Sequence, residues 1–366
     1  MAKLRRKCFQ FLLETQRRRL GPPQGLSQFV PSQVRSILVV SCTAMGDTLL
    51  SVPAIKAVRQ SFPQARISWL INPRFFPLFR PLAGLVDEFL FYPGRYRGLW
   101  PLWRKFKARR FDLALSFHDS DLAPVGLAYL TRVPFILRSA LKDAPWAPYL
   151  STRVPYRDEA HAIEQRLDVV RTLLGEERNF DTRLSLPLNP EHLLKARNLL
   201  RQFGVQGQPL VGFQCRASRP YREWPLANYA TLARKIKERY PSAQIVLLGS
   251  PKDRRSLESL ARQGLINLAG QIPLELLGAV LKQLDLLVSV DTGPMHVAFA
   301  VNTPTVCLFV PSDVRHTGPY QDPHLHHPIV KPRPCKPCKR KYCEKPWCME
   351  LIKVEEVFEE VVKVLG

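Results

Sequence analysis

Long apolar runs are missing from this 366-residue chain. No stretch of about 18 consecutive apolar residues occurs, so the sequence predicts no membrane-spanning helix. The apolar segment at residues 8–13 is short, is followed by Glu14 and has no small-residue cleavage site behind it. It is therefore not typical of a secretory signal, and we expect the chain to stay in the cytoplasm.

Two common nucleotide-binding fingerprints are also missing from the first strand-to-helix loop. This loop, residues 41–50, reads S-C-T-A-M-G-D-T-L-L, which contains neither G-x-G-x-x-G nor G-x-x-x-x-G-K-[ST]. The loop is therefore neither a dinucleotide fingerprint nor a P-loop. The sequence also has no zinc-finger, helix-turn-helix or RNA-recognition motif, which argues against nucleic acid as the partner.

Acidic side chains are scarce. The chain has 31 Asp and Glu against 54 Lys and Arg, which gives a formal net charge of +23. Such an excess predicts an acidic partner, namely an anionic membrane, a phosphorylated substrate or nucleic acid. The excess is concentrated in the N-terminal half, where residues 1–35 contain Glu14 as their one acid and residues 94–110 contain none.

The first 35 residues are predicted to form a basic arm. Residues 1–20 mix Arg and Lys with apolar side chains and then meet Gly21-Pro22-Pro23. A short basic helix of this kind can lie on an anionic bilayer surface. A solvated, partly disordered arm is the alternative. The apolar residues are Leu4, Phe9, Phe11, Leu12 and Leu13.

From residue 36 onward, apolar runs alternate with amphipathic helical segments. This alternation predicts α/β domains with parallel, doubly wound sheets, whose ligands bind at the carboxyl ends of the strands. We predict an N-terminal domain at 36–180, a C-terminal domain at 181–350 and a final helix at 351–366. The predicted strands are 37–40, 67–71, 89–92, 111–117, 210–215, 244–249, 265–268, 286–290 and 305–309. The predicted helices are 49–62, 100–109, 225–240, 253–262, 274–283, 294–300 and 354–365.

The segment from Leu286 to His296, L-L-V-S-V-D-T-G-P-M-H, combines a buried strand, a tight turn and a helix start. Pro294 suits the first helical position because its missing N–H is not needed there. Free backbone N–H groups and the helix dipole then favour an anion at this turn. The alternative is an ordinary turn capped by Asp291 or Thr292.

Asp47 lies at the other end of the chain, in the sequence Met45-Gly46-Asp47 after the first predicted strand. Gly46 permits a close approach of the backbone to a ligand. Asp47 can cap the following helix, which aspartate does well. Alternatively, its carboxylate can take a proton from a hydroxyl group in a binding cleft.

These motifs, in this order, resemble the bacterial heptosyltransferase family, glycosyltransferase family nine. The resemblance spans about residues 36–320. Its motifs are M-G-D-x-L-x-x-x-P-A-I at 45–55, R-E-W-P at 222–225, L-L-G-S-P-K-D at 247–253, N-L-A-G at 267–270 and S-V-D-T-G-x-x-H at 289–296.

The resemblance implies a GT-B fold, in which two Rossmann-like domains face each other across a cleft. It also implies an inverting transfer of heptose from ADP-heptose to the inner core of lipopolysaccharide, onto Kdo-lipid A or a heptosyl acceptor, with no cofactor required for catalysis. In that chemistry Asp47 matches the general base. Thr292, Gly293 and His296, in the turn that starts at Asp291, match the family's diphosphate-binding motif.

Two further donor-binding residues follow from the resemblance. Arg222 stands where the family usually has a lysine, so the charge is kept but the geometry differs. Asp253 aligns with an acidic residue that contacts the nucleoside in relatives; capping of the following helix is the alternative.

The resemblance places the acceptor in the N-terminal half, beside Gly46. There the basic helix at 100–110 can attract the phosphates and carboxylates of lipid A and its Kdo sugars. A solvated basic face is the alternative. The expected partners are an ADP-sugar, a lipopolysaccharide-core or lipid A acceptor and the anionic inner face of the inner membrane, where the protein would be peripheral. The basic residues in question are Arg104, Lys105, Lys107, Arg109 and Arg110.

Two departures from the family pattern keep other functions open. Val310 precedes Pro311 where relatives often have glycine, and the N-terminal arm is additional. The alternatives are a GT-B transferase of another nucleotide sugar, a sugar-nucleotide epimerase, or a non-catalytic basic protein that binds membrane surfaces.

Four of the eight cysteines are grouped near the C-terminus. In a cytoplasmic protein such short spacing can indicate a structural zinc ion or an iron–sulfur cluster. Structural thiols or a disulfide are the alternative. The four residues are Cys335, Cys338, Cys343 and Cys348.

Overall fold

A computed structural model describes residues 2–119, 121–139, 146–175, 177–335, 343 and 347–366. The chain divides into two units, residues 1–183 and residues 184–366. This division lies close to the boundary predicted between residues 180 and 181. Within the described ranges, no helix has the length and apolar character needed to cross a bilayer.

The first unit is built on a five-stranded parallel sheet with strand order β3-β2-β1-β4-β5. Its strands are β1 Ser36–Ser41, β2 Arg66–Ile71, β3 Glu88–Phe91, β4 Leu113–His118 and β5 Phe135–Arg138. Its helices are α1 Ala2–Leu20, α2 Met45–Leu49, α3 Val52–Ser61, α4 Phe76–Phe79, α5 Leu99–Arg109, α6 Ala123–Leu130 and α7 Ala162–Leu174. The central strands are apolar and buried on both faces, as a helix-covered parallel sheet requires.

The second unit is built on a six-stranded parallel sheet with strand order β11-β10-β9-β6-β7-β8. Its strands are β6 Leu210–Gln214, β7 Gln244–Leu248, β8 Ile266–Asn267, β9 Leu286–Val290, β10 Thr305–Phe309 and β11 His326–Val330. Its helices are α8 Pro190–Gln202, α9 Leu226–Arg239, α10 Arg254–Ala261, α11 Leu277–Leu281, α12 Gly293–Ala300, α13 Val314–Thr317 and α14 Val354–Leu365.

An aspartate directly before a strand recurs in both sheets and helps to set the register. Asp112, before β4, accepts hydrogen bonds from the backbone N–H groups of Arg35 and Ser36 at 2.8 and 2.9 Å. Asp285, before β9, accepts one from Leu210 N at 2.7 Å. Each carboxylate satisfies backbone donors at the start of the neighbouring strand, which would otherwise lack partners.

The prediction of one helix at 49–62 is wrong in where the helix begins and in its continuity. The structure has two helices in this region, α2 and α3, which are separated at Leu50 and Ser51. Pro53 explains the break, because it has no N–H to donate to the carbonyl of Leu49 and its ring would clash with that carbonyl. Several further elements were not predicted from the sequence, namely α4, α6, α7, α13, β5 and β11.

The basic arm begins with a helix that is packed onto the first unit. Phe9 and Leu13 of α1 are buried against α6. Gly126 permits this contact, since a Cβ atom there would lie 2.7 Å from Phe9 Cε1 and 2.8 Å from Leu13 Cδ1. Glu14 accepts a hydrogen bond from the Tyr149 hydroxyl at 2.7 Å. These contacts support the helical alternative over the disordered one.

Replacement of Leu13 by alanine should destabilise the first unit by about 2–5 kcal/mol. The Leu13 side chain is 0% exposed, so its removal would leave a cavity between α1 and the rest of the unit. The matched change Leu4→Ala, on the same helix but 66% exposed, should alter stability by less than about 0.5 kcal/mol. Urea denaturation of both variants measures the difference. Equal stabilities would show that α1 does not pack on α6.

Candidate active-site residues in the two units

The loop after β1 carries the predicted base, Asp47. Helix α2 starts at Met45, and Ala44 is the residue that precedes it. Asp47 therefore lies inside the first turn and does not occupy the capping position, so the capping alternative is wrong. Gly46 is buried, whereas the Asp47 side chain is 35% exposed. The carboxylate is accessible to a ligand although its backbone is packed.

Two side chains from other elements approach the Asp47 carboxylate. Arg166 of α7 places its Nη2 atom 3.4 Å from Asp47 Oδ1. His118, the last residue of β4, places its Nε2 atom 3.6 Å from the same oxygen. The other ring nitrogen of His118, Nδ1, lies 2.7 Å from the Thr43 hydroxyl. The site therefore combines a carboxylate with a guanidinium and an imidazole.

Arg166 is held rigidly at this site. Its side chain is 3% exposed, its Nε donates to Ser51 Oγ at 3.0 Å and its Nη1 donates to the Ala162 carbonyl at 2.7 Å. Burial lowers the pKa of Arg166, while Asp47 acts in the opposite direction. A guanidinium stays protonated in proteins, so a fixed positive charge faces Asp47.

His118 is expected to be neutral near pH 7. Desolvation lowers its pKa below the usual value, Asp47 opposes that change, and Arg166 adds to it. The side chain is nevertheless 40% exposed, so it still reaches solvent. The structure thus places a partly exposed histidine beside the predicted base.

Sequence reasoning missed Arg166 because α7 was not predicted. A signal was present, however. Ile163, Leu167 and Val170 of this helix are buried, and Arg166 is buried with them. A charged residue on the apolar face of an amphipathic helix calls for a buried partner.

The predicted acceptor-binding helix is observed as α5, with its basic side chains exposed. Arg109 is already engaged, because it forms a two-pronged ion pair with Glu88 at 2.8 and 2.9 Å. Lys107 lies over the ring of Trp103. The acceptor-binding role of the group therefore stays a prediction. The group comprises Arg104, Lys105, Lys107, Arg109 and Arg110.

The second candidate site lies in the other unit, at the end of β9. Helix α12 begins at Gly293, one residue before the predicted start at Pro294. Thr292 precedes the helix but makes no capping hydrogen bond through its side chain. Asp291 and His296 are both buried, at 5% exposure each. The capping alternative for this turn is therefore wrong for Thr292.

Asp291 is paired with Arg222 instead. The Nη1 atom of Arg222 lies 2.9 Å from Asp291 Oδ2, and His296 Nε2 lies 4.0 Å from Asp291 Oδ1. The Nε atom of Arg222 is buried and has no hydrogen-bond partner in the part of the chain that the structure describes. The structure thus gathers three of the predicted donor-binding residues beside the N-terminus of α12.

Asp253 stands directly before α10, in the position that the capping alternative predicts. Its carboxylate does not cap the helix, however. It accepts hydrogen bonds from the backbone N and the hydroxyl of Ser250, at 2.8 and 2.7 Å. Asp253 therefore organises the loop after β7, and its contact with a nucleoside stays a prediction.

The predicted metal site is only partly within the described residues. Cys335 and Cys343 are exposed and Cys348 is partly buried, whereas Cys338 lies outside the described residues. Where side chains are described, no cluster of three or more His, Cys, Asp or Glu could hold a metal ion. The metal site therefore stays a prediction.

Comparison with known proteins gives relatives over most of the chain. Lipopolysaccharide heptosyltransferase 1 of Pseudomonas aeruginosa is 28% identical over 325 residues, which cover 84% of this chain and 87% of the relative. Lipopolysaccharide heptosyltransferase 3 of Escherichia coli is 25% identical, covering 73% of this chain and 81% of the relative.

Solved structures share the fold. A glycosyl transferase family 9 protein from Veillonella parvula matches with a TM-score of 0.74 and 23% identity, over 90% of this chain and 97% of that one. ADP-heptose lps heptosyltransferase II of E. coli matches with a TM-score of 0.72 and 21% identity, over 90% and 98%. The GT-B fold class, with two Rossmann-like domains, is thereby confirmed.

The family model for glycosyltransferase family 9 (heptosyltransferase) matches residues 99–348, more than half of the sequence. This range includes Arg166 and all the predicted donor-binding residues, while Asp47 precedes it. The chain therefore belongs to glycosyltransferase family 9, the heptosyltransferases, and is a glycosyltransferase.

Proposed function

We propose that this enzyme transfers heptose from ADP-heptose to the inner core of lipopolysaccharide, with inversion at the anomeric carbon and with Asp47 as general base. The names of the curated relatives support the sugar and the pathway. The observation that carries the residue assignment is the accessible carboxylate of Asp47 beside the buried cation of Arg166.

The proposed reaction is a single displacement. An acceptor hydroxyl oxygen forms a bond to the anomeric carbon of heptose while the bond from that carbon to the diphosphate oxygen breaks. The hydroxyl proton passes to the Asp47 carboxylate, and ADP leaves with the bonding electrons. Asp47 can serve as the base because Arg166 stabilises its ionised form.

Arg222 and the turn after β9 are proposed to stabilise the departing diphosphate. Arg222 provides positive charge on a side chain that is 30% exposed. The N-terminus of α12 adds backbone donors and the positive end of its dipole. His296 lies in the first turn of the same helix. Preorganised donors of this kind act where charge develops.

We further propose that the protein is peripheral on the anionic inner face of the membrane, held there by α1. Phe9 and Leu13 face the protein, whereas Leu4 and Phe11 are 66% and 75% exposed. Leu4 and Phe11 are seven residues apart and so share the opposite face of the helix. The same helix also carries exposed basic side chains, which suits an acidic lipid surface. They are Lys3, Arg5, Arg6, Lys7, Arg17, Arg18 and Arg19.

Asp47→Asn should lower kcat for heptose transfer by about 100- to 10,000-fold, because the amide cannot accept the proton. The Kd for ADP should not change, since the variant keeps the size of the side chain. Transfer is measured with ADP-heptose and a Kdo-lipid A acceptor, and with a panel of other nucleotide sugars. Undiminished turnover in the variant would exclude the base assignment, and turnover of a different donor alone would exclude ADP-heptose.

Arg222→Met should lower kcat by about 100-fold, because the diphosphate loses a charged donor in the transition state. The control is Arg234→Met, which removes an arginine that is 71% exposed on α9 of the same unit. Steady-state kinetics with ADP-heptose separate the two variants. Similar rates in both would remove Arg222 from the donor site.

Phe11→Glu should weaken binding to phosphatidylglycerol vesicles by about tenfold or more, because a buried phenyl ring is worth about 1.5–3 kcal/mol. The control is Leu194→Glu, on α8 of the other unit, where the leucine is 57% exposed. Vesicle co-sedimentation at low and high salt measures both. Unchanged binding of the Phe11 variant would show that α1 does not contact the bilayer.

A further inference from the structure

We propose that Arg166 is a positioning residue for the transfer reaction, which keeps the Asp47 carboxylate ionised and fixes its orientation. This inference rests on the proposed role of Asp47 as general base. Arg166 belongs to none of the sequence motifs described above, and it is separated from Asp47 by 119 positions in the sequence.

The geometry shows how Arg166 is kept in place. Each of its three nitrogens has a different partner: Nε contacts Ser51 Oγ at 3.0 Å, Nη1 contacts the Ala162 carbonyl at 2.7 Å and Nη2 contacts Asp47 Oδ1 at 3.4 Å. Ser51 lies in the break between α2 and α3, and its hydroxyl also contacts Ser41 Oγ at 2.9 Å. The break between α2 and α3 thus places the Ser51 hydroxyl where it accepts a hydrogen bond from the Arg166 guanidinium.

Among the described residues, Arg166 and His118 both place a nitrogen within 4 Å of the Asp47 carboxylate. His118 approaches from β4; desolvation lowers the pKa of this histidine, Asp47 opposes that change, and Arg166 adds to it. Behind it, Asp119 and Arg138 form a buried ion pair of their own at 2.9 Å. Arg166 therefore supplies a permanent positive charge within 4 Å of the carboxylate at every working pH.

Arg166 is also expected to have a structural effect, since it connects α7 with α2 and α3. Removal of one partner of a buried pair destabilises a protein in any case. A loss of activity alone would therefore not distinguish the two roles. The pH dependence does distinguish them, because only a charge close to the base changes the pH range in which the base is ionised.

The expected direction follows from the charges. An opposite charge within about 4–6 Å favours the ionised form of a carboxylate and typically lowers the pKa of such a group by about 1–3 units. Without Arg166, Asp47 should take up a proton at higher pH. The acidic limb of the kcat/KM profile should then move to higher pH by about one unit or more, and activity within that limb should fall about tenfold per unit.

The experiment compares three variants across about pH 3–9, a range in which both carboxylates, with a usual pKa of about 4, and imidazoles, with a usual pKa of about 6.5, titrate. Arg166→Met removes the charge, and Arg166→Lys keeps it without the planar fork. Arg171→Met is the matched control. Arg171 lies on the same helix and is 17% exposed, and it pairs with Glu164 and Asp168 at 2.7 and 2.9 Å. Thermal unfolding and the KM for ADP-heptose are measured for each.

Arg166→Met should show the shifted acidic limb with an unchanged KM for ADP-heptose, whereas Arg171→Met should lose stability without a shift. Arg166→Lys should keep the wild-type pH profile with a lower kcat, because the carboxylate is less well oriented. If Arg166→Met does not fold, the lysine variant decides, and a wild-type kcat in it would overturn the proposal.

A uniform fall of activity at all pH values in Arg166→Met, with no shift of the limb, would likewise overturn it. Failure of this inference is distinguishable from failure of the proposed function. If Asp47→Asn is inactive and the kcat/KM profile of Arg166→Met is not shifted in pH, Asp47 remains the proposed base and the positioning role of Arg166 is rejected. An active Asp47→Asn enzyme would remove both.

Discussion

Both units depend on parallel strands that are buried on both faces by helices. Because all strands of a sheet run in one direction, the loops after neighbouring strands meet at one edge. In the first unit β1 and β4 are neighbours, which brings the Asp47 loop next to His118. In the second unit β6 and β9 are neighbours, which brings Arg222 next to Asp291. Each candidate site is thus a consequence of strand order.

Most of these strands could be located from the sequence, because buried parallel strands are continuous apolar runs, whereas their order within each sheet comes from the structure. The helices were harder. Helix α6 is buried almost all round, so it has no amphipathic period, and it contains Pro124 and Gly126. Helix α7 has such a period but lies in a segment of mixed charge, and it was not predicted. The break between α2 and α3 followed from Pro53 and was predictable in principle.

The site residues divide in the same way. Asp47, Asp291 and His296 belong to short motifs whose spacing can be read directly. Arg166 does not, because its contact with Asp47 joins segments that are distant in sequence and meet only through packing. Local patterns therefore identify the groups proposed to act on the substrate, whereas their partners from distant segments are identified only in the tertiary structure.

The two ion pairs are arranged in opposite ways, and this difference fits their proposed roles. In the first unit the arginine is buried and the carboxylate is accessible, with Arg166 at 3% and Asp47 at 35% exposure. In the second unit the carboxylate is buried and the arginine is accessible, with Asp291 at 6% and Arg222 at 30%. A base must reach a proton and a diphosphate needs a cation. Under the proposed roles, the buried member of each pair would therefore hold its partner, and the accessible member would meet the substrate.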